Sequence, residues 1–82
     1  MEDASLEDVL YAALADNRGC TVEVVRAALD AEGAIDSLEG VELVTAAEDR
    51  FGITIDDDEV TQRVCRSIPR LAALVRTKLR EA

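Results

Sequence analysis

The residues with chemistry to offer are gathered in one octet, Asp36-Ser37-Leu38-Glu39-Gly40-Val41-Glu42-Leu43. It sets a hydroxyl at a predicted helix start among carboxylates. The chain has no histidine to act as a base, no Gly-x-Ser-x-Gly turn and too little length for a second lobe, which discounts a serine hydrolase. From the residues alone two readings of Ser37 stand. Serine and aspartate are favoured helix caps, or the hydroxyl is a target for another enzyme. Asp36 already meets the capping need, leaving Ser37 in the first turn with its hydroxyl toward solvent.

The helix that must position this serine is predicted to open at Asp36, with Glu39 completing a capping box, and to end at Gly52 after Phe51. At about 3.6 residues per turn, Gly40, Leu43, Val44, Ala47 and Phe51 fall on one side, which is the core face. Leu38 points nearly the opposite way and shares its side with Glu42, Thr45 and Asp49; Ser37, Val41 and Glu48 lie along the border. An exposed leucine framed by acids suits a docking surface, although single exposed leucines are ordinary.

Four further segments complete the expected fold. Leu6, Val9, Leu10, Ala13 and Leu14 form the apolar stripe of a first helix, capped by Ser5 and ended by Asn17 to Gly19. Thr21 caps a shorter second helix with Val22, Val25 and Leu29 on one face and Gly33 as its stop. Ile53-Thr54-Ile55 is too short for an independent strand and reads as an extended connector, after which Asp56 to Asp58 cap a short helix running to about Arg66. Ser67 caps the last helix, whose buried face is Ile68, Leu71, Leu74, Val75 and Leu79, with Pro69 tolerated in its first turn. Arg76, Lys78 and Arg80 lie near its C-terminus, where the dipole favours positive charge.

Composition narrows the class. In 82 residues, 49% are apolar, mostly Ala, Val and Leu, and the only aromatics are Tyr11 and Phe51. This predicts a single all-α domain over residues 1–82, built as a small bundle of three main helices plus one or two short ones. The net charge of −9 repels a phosphate backbone and excludes nucleic acid as a natural partner. The charge is also uneven: residues 1–62 hold 17 acids and 3 bases, residues 63–82 hold 1 acid and 6 bases. No apolar run is long enough to span a bilayer, and the N-terminus lacks the features of a signal, so a soluble cytoplasmic protein is expected. Cys20 and Cys65 are far apart and have neither metal nor disulfide spacing. Asp56, Asp57, Asp58 and Glu59 lack the alternating ligands and central glycine of a calcium loop, and read as a solvated helix start.

Taken together, Asp36-Ser37-Leu38, Val41-Glu42-Leu43, Glu48, Phe51, Ile53, Ile55 and the acidic helix start resemble the acyl carrier protein family over almost the whole chain. The resemblance implies that Ser37 carries 4′-phosphopantetheine through a phosphodiester, transferred from coenzyme A by a separate magnesium-dependent phosphopantetheinyl transferase. The terminal thiol of that arm, rather than Cys20 or Cys65, then holds acyl cargo. The third helix becomes the recognition helix: Asp36, Glu39, Glu42, Glu48 and Asp49 meet basic docking surfaces on acyl-loading and condensing enzymes, while Leu38 and Val41 add apolar contact. Fatty-acid carriers of the family open to shelter an acyl chain, and small residues such as Ala13, Ala28, Ala46 and Ala47 are compatible with that; the sequence leaves open whether this bundle does so. The chain itself is expected to be a monomer and no enzyme.

Departures from the family pattern bear on the pathway. Ala34-Ile35 replaces the usual Leu-Gly before the triplet, the first loop contains a helix over Thr21 to Ala31, and Asp56 stands where proline is common. These favour a freestanding carrier of a specialised pathway such as polyketide assembly over housekeeping fatty-acid synthesis. A peptidyl or aminoacyl carrier is the alternative, although the Gly-Gly-x-Ser pattern of many such carriers is missing. An unmodified acidic interaction module is a further alternative.

Overall fold

Leucine spacing shapes the first helix, and two glycines set where helices stop. The computed structural model describes residues 3–32 and 35–81. Helix α1 runs Asp3–Arg18 with Leu6, Leu10, Ala13 and Leu14 buried and Val9 half-buried. Gly19, at φ 69°, turns the chain out of it: Cys20 N–H donates to the Ala15 carbonyl at 3.0 Å and Gly19 N–H to that of Asp16 at 3.2 Å. The left-handed residue thereby satisfies carbonyls that the helix end leaves without partners. Ser5, expected as the cap of α1, lies inside its first turn. The backbone is already helical at Asp3.

Helix α2 runs Val22–Glu32, and the Thr21 hydroxyl accepts from Val24 N–H at 3.3 Å as a cap should. Val25 is sealed in the core, with Val22 and Leu29 half-buried. A polar contact pins α2 to α1 from outside: the Arg26 guanidinium lies 4.0 Å from the Tyr11 ring centroid and donates to Asp8 Oδ1 at 2.7 Å. The predicted stop at Gly33 lies outside the described residues.

Helix α3 runs Ser37–Phe51 and ends on Gly52 at φ 65°. Ile53 to Ile55 follow as an extended connector, with Ile55 buried and Ile53 half-buried. The single short helix expected from Asp56 to about Arg66 is two pieces. A 3-10 turn, Asp57–Glu59, ends where Val60 takes φ −83° and ψ 77°, and Thr61 then caps a one-turn helix α4, Gln62–Cys65, its hydroxyl accepting from Val64 N–H at 3.3 Å. Val60 leaves the helical region, so the backbone must be capped anew. Glu59 faces two ways: its carboxylate accepts from Asp56 N–H at 3.1 Å and meets Lys78 Nζ at 2.6 Å.

Helix α5 runs Ile68–Glu81, with Ser67 Oγ accepting from Arg70 N–H at 3.3 Å and Pro69 in the first turn. Its buried face is Ile68, Leu71, Ala72 and Val75; Leu74 and Leu79 pack half-buried at the margin. Helix α1 is central, packing against α2, α3 and α5, while α4 bridges α3 and α5. The leucines of α1, Ile35, Val25 and the apolar face of α5 make one continuous core. Each sealed Leu or Ile contributes about 1.5–3 kcal/mol of transfer free energy before ordering costs. Among the described residues there is no strand, and no helix is long and apolar enough to cross a membrane. Cys20 and Cys65 are free thiols, the second buried.

Candidate functional site

The first turn of α3 is built by reciprocal capping. Asp36 has extended backbone, φ −60° and ψ 144°, and its carboxylate accepts from Leu38 N–H at 2.8 Å. Glu39 reaches back to accept from Asp36 N–H at 3.2 Å, and Gly40 N–H donates to the Asp36 carbonyl at 2.8 Å. Asp36 thus fills the cap position, and Ser37 begins the helix with its side chain exposed. Among the described residues no hydrogen bond engages the Ser37 hydroxyl. An unengaged primary hydroxyl at the positive end of a 15-residue helix has the chemistry to bear a phosphodiester, because the helix dipole favours the anion.

Glu39 has a further partner. Arg18, at the end of α1, grips it bidentately, Nη2 to Oε1 at 2.8 Å and Nε to Oε2 at 2.5 Å. The Arg18 hydrogen bond holds the Glu39 carboxyl below the usual glutamate range; partial burial opposes this, and the Asp36 N–H adds to it. The start of α3 is therefore fixed to the end of α1 by a planar fork, a geometry that locks orientation as well as distance.

The remaining predicted partner residues divide by what they touch. Leu38 is 67% exposed and Val41 50%, adjacent on the outer face, with Glu42, Thr45 and Asp49 exposed beside them. Glu48 turns inward instead: its Oε2 accepts from Ile55 N–H at 2.9 Å and anchors the connector. Glu39 and Glu48 thus have internal partners, and Glu42 and Asp49 are the acids facing outward.

On the buried side of α3, Gly40 meets α4 without clearance. A Cβ at this position would fall on the Cys65 carbonyl oxygen and lie 2.6 Å from Cys65 Cβ. Sequence periodicity puts Gly40 on the core face but says nothing of its partner; a glycine within an otherwise regular apolar stripe was the available signal. Between α1 and α3 the small side chains of Ala13 and Ala46, with Leu14 and Leu43, floor a cleft of about 290 Å³ rimmed by Asp16, Asn17, Glu39, Glu42 and Arg50.

The family model described as "phosphopantetheine attachment site" matches residues 8–75. Searches of curated proteins and of solved structures gave no significant match.

Proposed function

Since the chain belongs to the phosphopantetheine attachment-site family and its cofactor is covalently bound 4′-phosphopantetheine, we propose that Ser37 is the attachment residue and that the protein is an acyl carrier of a polyketide or other specialised pathway in the cytoplasm. The observation that carries this reading is the exposed, unengaged Ser37 hydroxyl beside a cap that Asp36 supplies. As the Ser37 oxygen bonds to the phosphorus that bears pantetheine, the pyrophosphate bond of coenzyme A breaks and adenosine 3′,5′-bisphosphate leaves; with no histidine in the chain, the hydroxyl proton goes to a base on the transferase. The arm supplies a thiol that holds acyl cargo as a thioester, and partner enzymes supply the catalysis.

The protein's own residues supply the docking surface. Glu42 and Asp49 steer the encounter with basic rims around partner active sites, and Leu38 and Val41 give the apolar contact beside the tether. Asp36, Glu39 and Glu48 support that surface from within by capping α3, tying it to α1 and anchoring the connector. A carrier visiting several enzymes in turn needs weak, quickly reversed contacts, and exposed pairings of this kind provide them. Arm flexibility then raises the effective concentration of cargo at each site.

The test is intact mass before and after incubation with coenzyme A, magnesium and a broad-specificity phosphopantetheinyl transferase. A gain of one phosphopantetheine unit in the wild type and none in Ser37→Ala is expected, with both proteins equally folded. A folded, initially unmodified wild type that gains no mass would overturn the assignment.

A further inference from the structure

An arm on Ser37 adds an anion to a chain already at −9, beside Asp36, Glu39 and Glu42. The helix dipole offsets part of that charge, but two nearby groups are committed elsewhere: Leu38 N–H to the Asp36 carboxylate, and Arg18 to Glu39. Arg66 has neighbours close in sequence or space to this serine on two sides. It follows Cys65, whose backbone lies directly against Gly40, and Gly40 sits one turn beyond Ser37 on α3. On its other flank Arg66 shares with Ile35, two residues before Ser37, the lining of a cleft of about 200 Å³.

The arginine is exposed, and among the described residues it closes no ion pair, although Asp30 borders the same cleft. Among the described residues Arg63, Arg70 and Arg80 close no ion pair either; what sets Arg66 apart is its place, next to the Cys65 that packs on Gly40 and in the same cleft as Ile35.

We propose that Arg66 is the counter-ion of the phosphate attached through Ser37, holding the root of the arm toward α4. This rests on the carrier reading above. A guanidinium is suited to the task because its planar fork meets phosphate oxygens bidentately and it stays charged at any working pH. The close approach of α4 that Gly40 permits is what brings this residue to the attachment end of α3. Neutralising the anion there leaves Glu42 and Asp49 free to act on partners without added repulsion at the centre of the surface.

The test compares ¹⁵N-labelled apo and loaded protein at low ionic strength, with loading read independently from intact mass. The Arg66 Nε–Hε resonance is expected to shift on loading. The ³¹P resonance of the loaded protein is expected to move in Arg66→Gln, to move less in Arg66→Lys, and to stay in place in Arg80→Gln, an exposed arginine at the far end of α5. Raising salt to about 1 M, where the screening length is roughly 3 Å, should shrink the difference between wild type and Arg66→Gln. A loaded wild type whose Arg66 signal does not respond would overturn this inference and leave the carrier assignment standing. Failure to load would instead overturn the assignment. The wild-type resonance decides the matter even if Arg66→Gln folds poorly.

Discussion

Replacing Gly40 by alanine asks how much the closeness of α3 and α4 matters. In an unobstructed helix interior the change would stabilise the protein by about 0.5–1 kcal/mol, because glycine loses more freedom on folding. Here the new methyl would sit on the Cys65 carbonyl oxygen, 2.6 Å from Cys65 Cβ and 2.9 Å from its carbonyl carbon. Ordinary contact begins near 3.4 Å, so α4 must retreat by roughly 1 Å. The obstruction is backbone and cannot swing aside like the end of a side chain. Against backbone the upper half of the overpacking range applies, about 2–3 kcal/mol, so after a helix gain of about 1 kcal/mol the expected net loss is about 1–2 kcal/mol. A domain of 82 residues has about 4–12 kcal/mol in total, and the melting temperature should fall by roughly 4–16 °C. Thermal melts by far-UV circular dichroism and urea titrations measure both quantities. Gly52→Ala is the comparison: it meets nothing within 4 Å and suffers only the strain of φ 65°, about 1 kcal/mol. A Gly40→Ala protein as stable as wild type, or more stable, would refute the reasoning.

Other perturbations separate the remaining contacts. Arg18 lowers the folded-state pKa of Glu39, so the stabilisation is present above the ordinary value of about 4.5 and is lost as pH falls through the lower folded value. Melting temperatures from about pH 5 to about pH 3 should therefore drop more steeply in wild type than in Glu39→Gln. Arg26→Ala removes an aromatic stack and an exposed ion pair and should cost about 1 kcal/mol. A double-mutant cycle with Tyr11→Leu should return a coupling of about 0.5–1 kcal/mol. Leu38→Ala should raise the KM of the transferase roughly tenfold, equivalent to about 1.4 kcal/mol, while leaving stability within about 0.5 kcal/mol. Glu42→Lys should reduce the association rate at low salt and lose that effect as salt rises, measured by stopped-flow binding.

Periodicity and capping chemistry were enough to place α3 from Asp36 to Gly52, to face Leu43, Val44 and Ala47 inward and to leave Leu38 outside. Those features depend on residues within a turn or two of each other. The errors came where local signals compete. Ser5 has the chemistry of a cap, yet nothing before it breaks the helix, so the backbone is helical from Asp3. Asp56 to Asp58 signal a helix start, but the signal does not show that Val60 leaves the helical region and hands the start of α4 to Thr61. Contacts across the fold were out of reach. Arg18 and Glu39 are 21 residues apart, and Gly40 meets Cys65 only because α4 is folded back onto α3. Glu48 was legible as an acid at the edge of the surface, but its bond to Ile55 N–H depends on the connector doubling back over Gly52.

Helix α4 is a single turn, with Cys65 N–H bonded to the Thr61 carbonyl at 2.9 Å and Arg66 N–H to that of Gln62 at 3.1 Å. Such a segment has the nucleation cost of a helix and almost none of the propagation that would offset it. Its order is borrowed from Cys65, buried against Gly40, and from the hydroxyl of Thr61. Amide hydrogen exchange is therefore expected to run on two clocks. Amides around Val64 to Arg66 are expected to exchange through a local opening far cheaper than unfolding, while those of Leu10 and Leu14 in α1 should wait for the whole bundle to come apart, a contrast that native-state hydrogen exchange measures. Ser37 lies one turn of α3 away from the boundary between those two regimes.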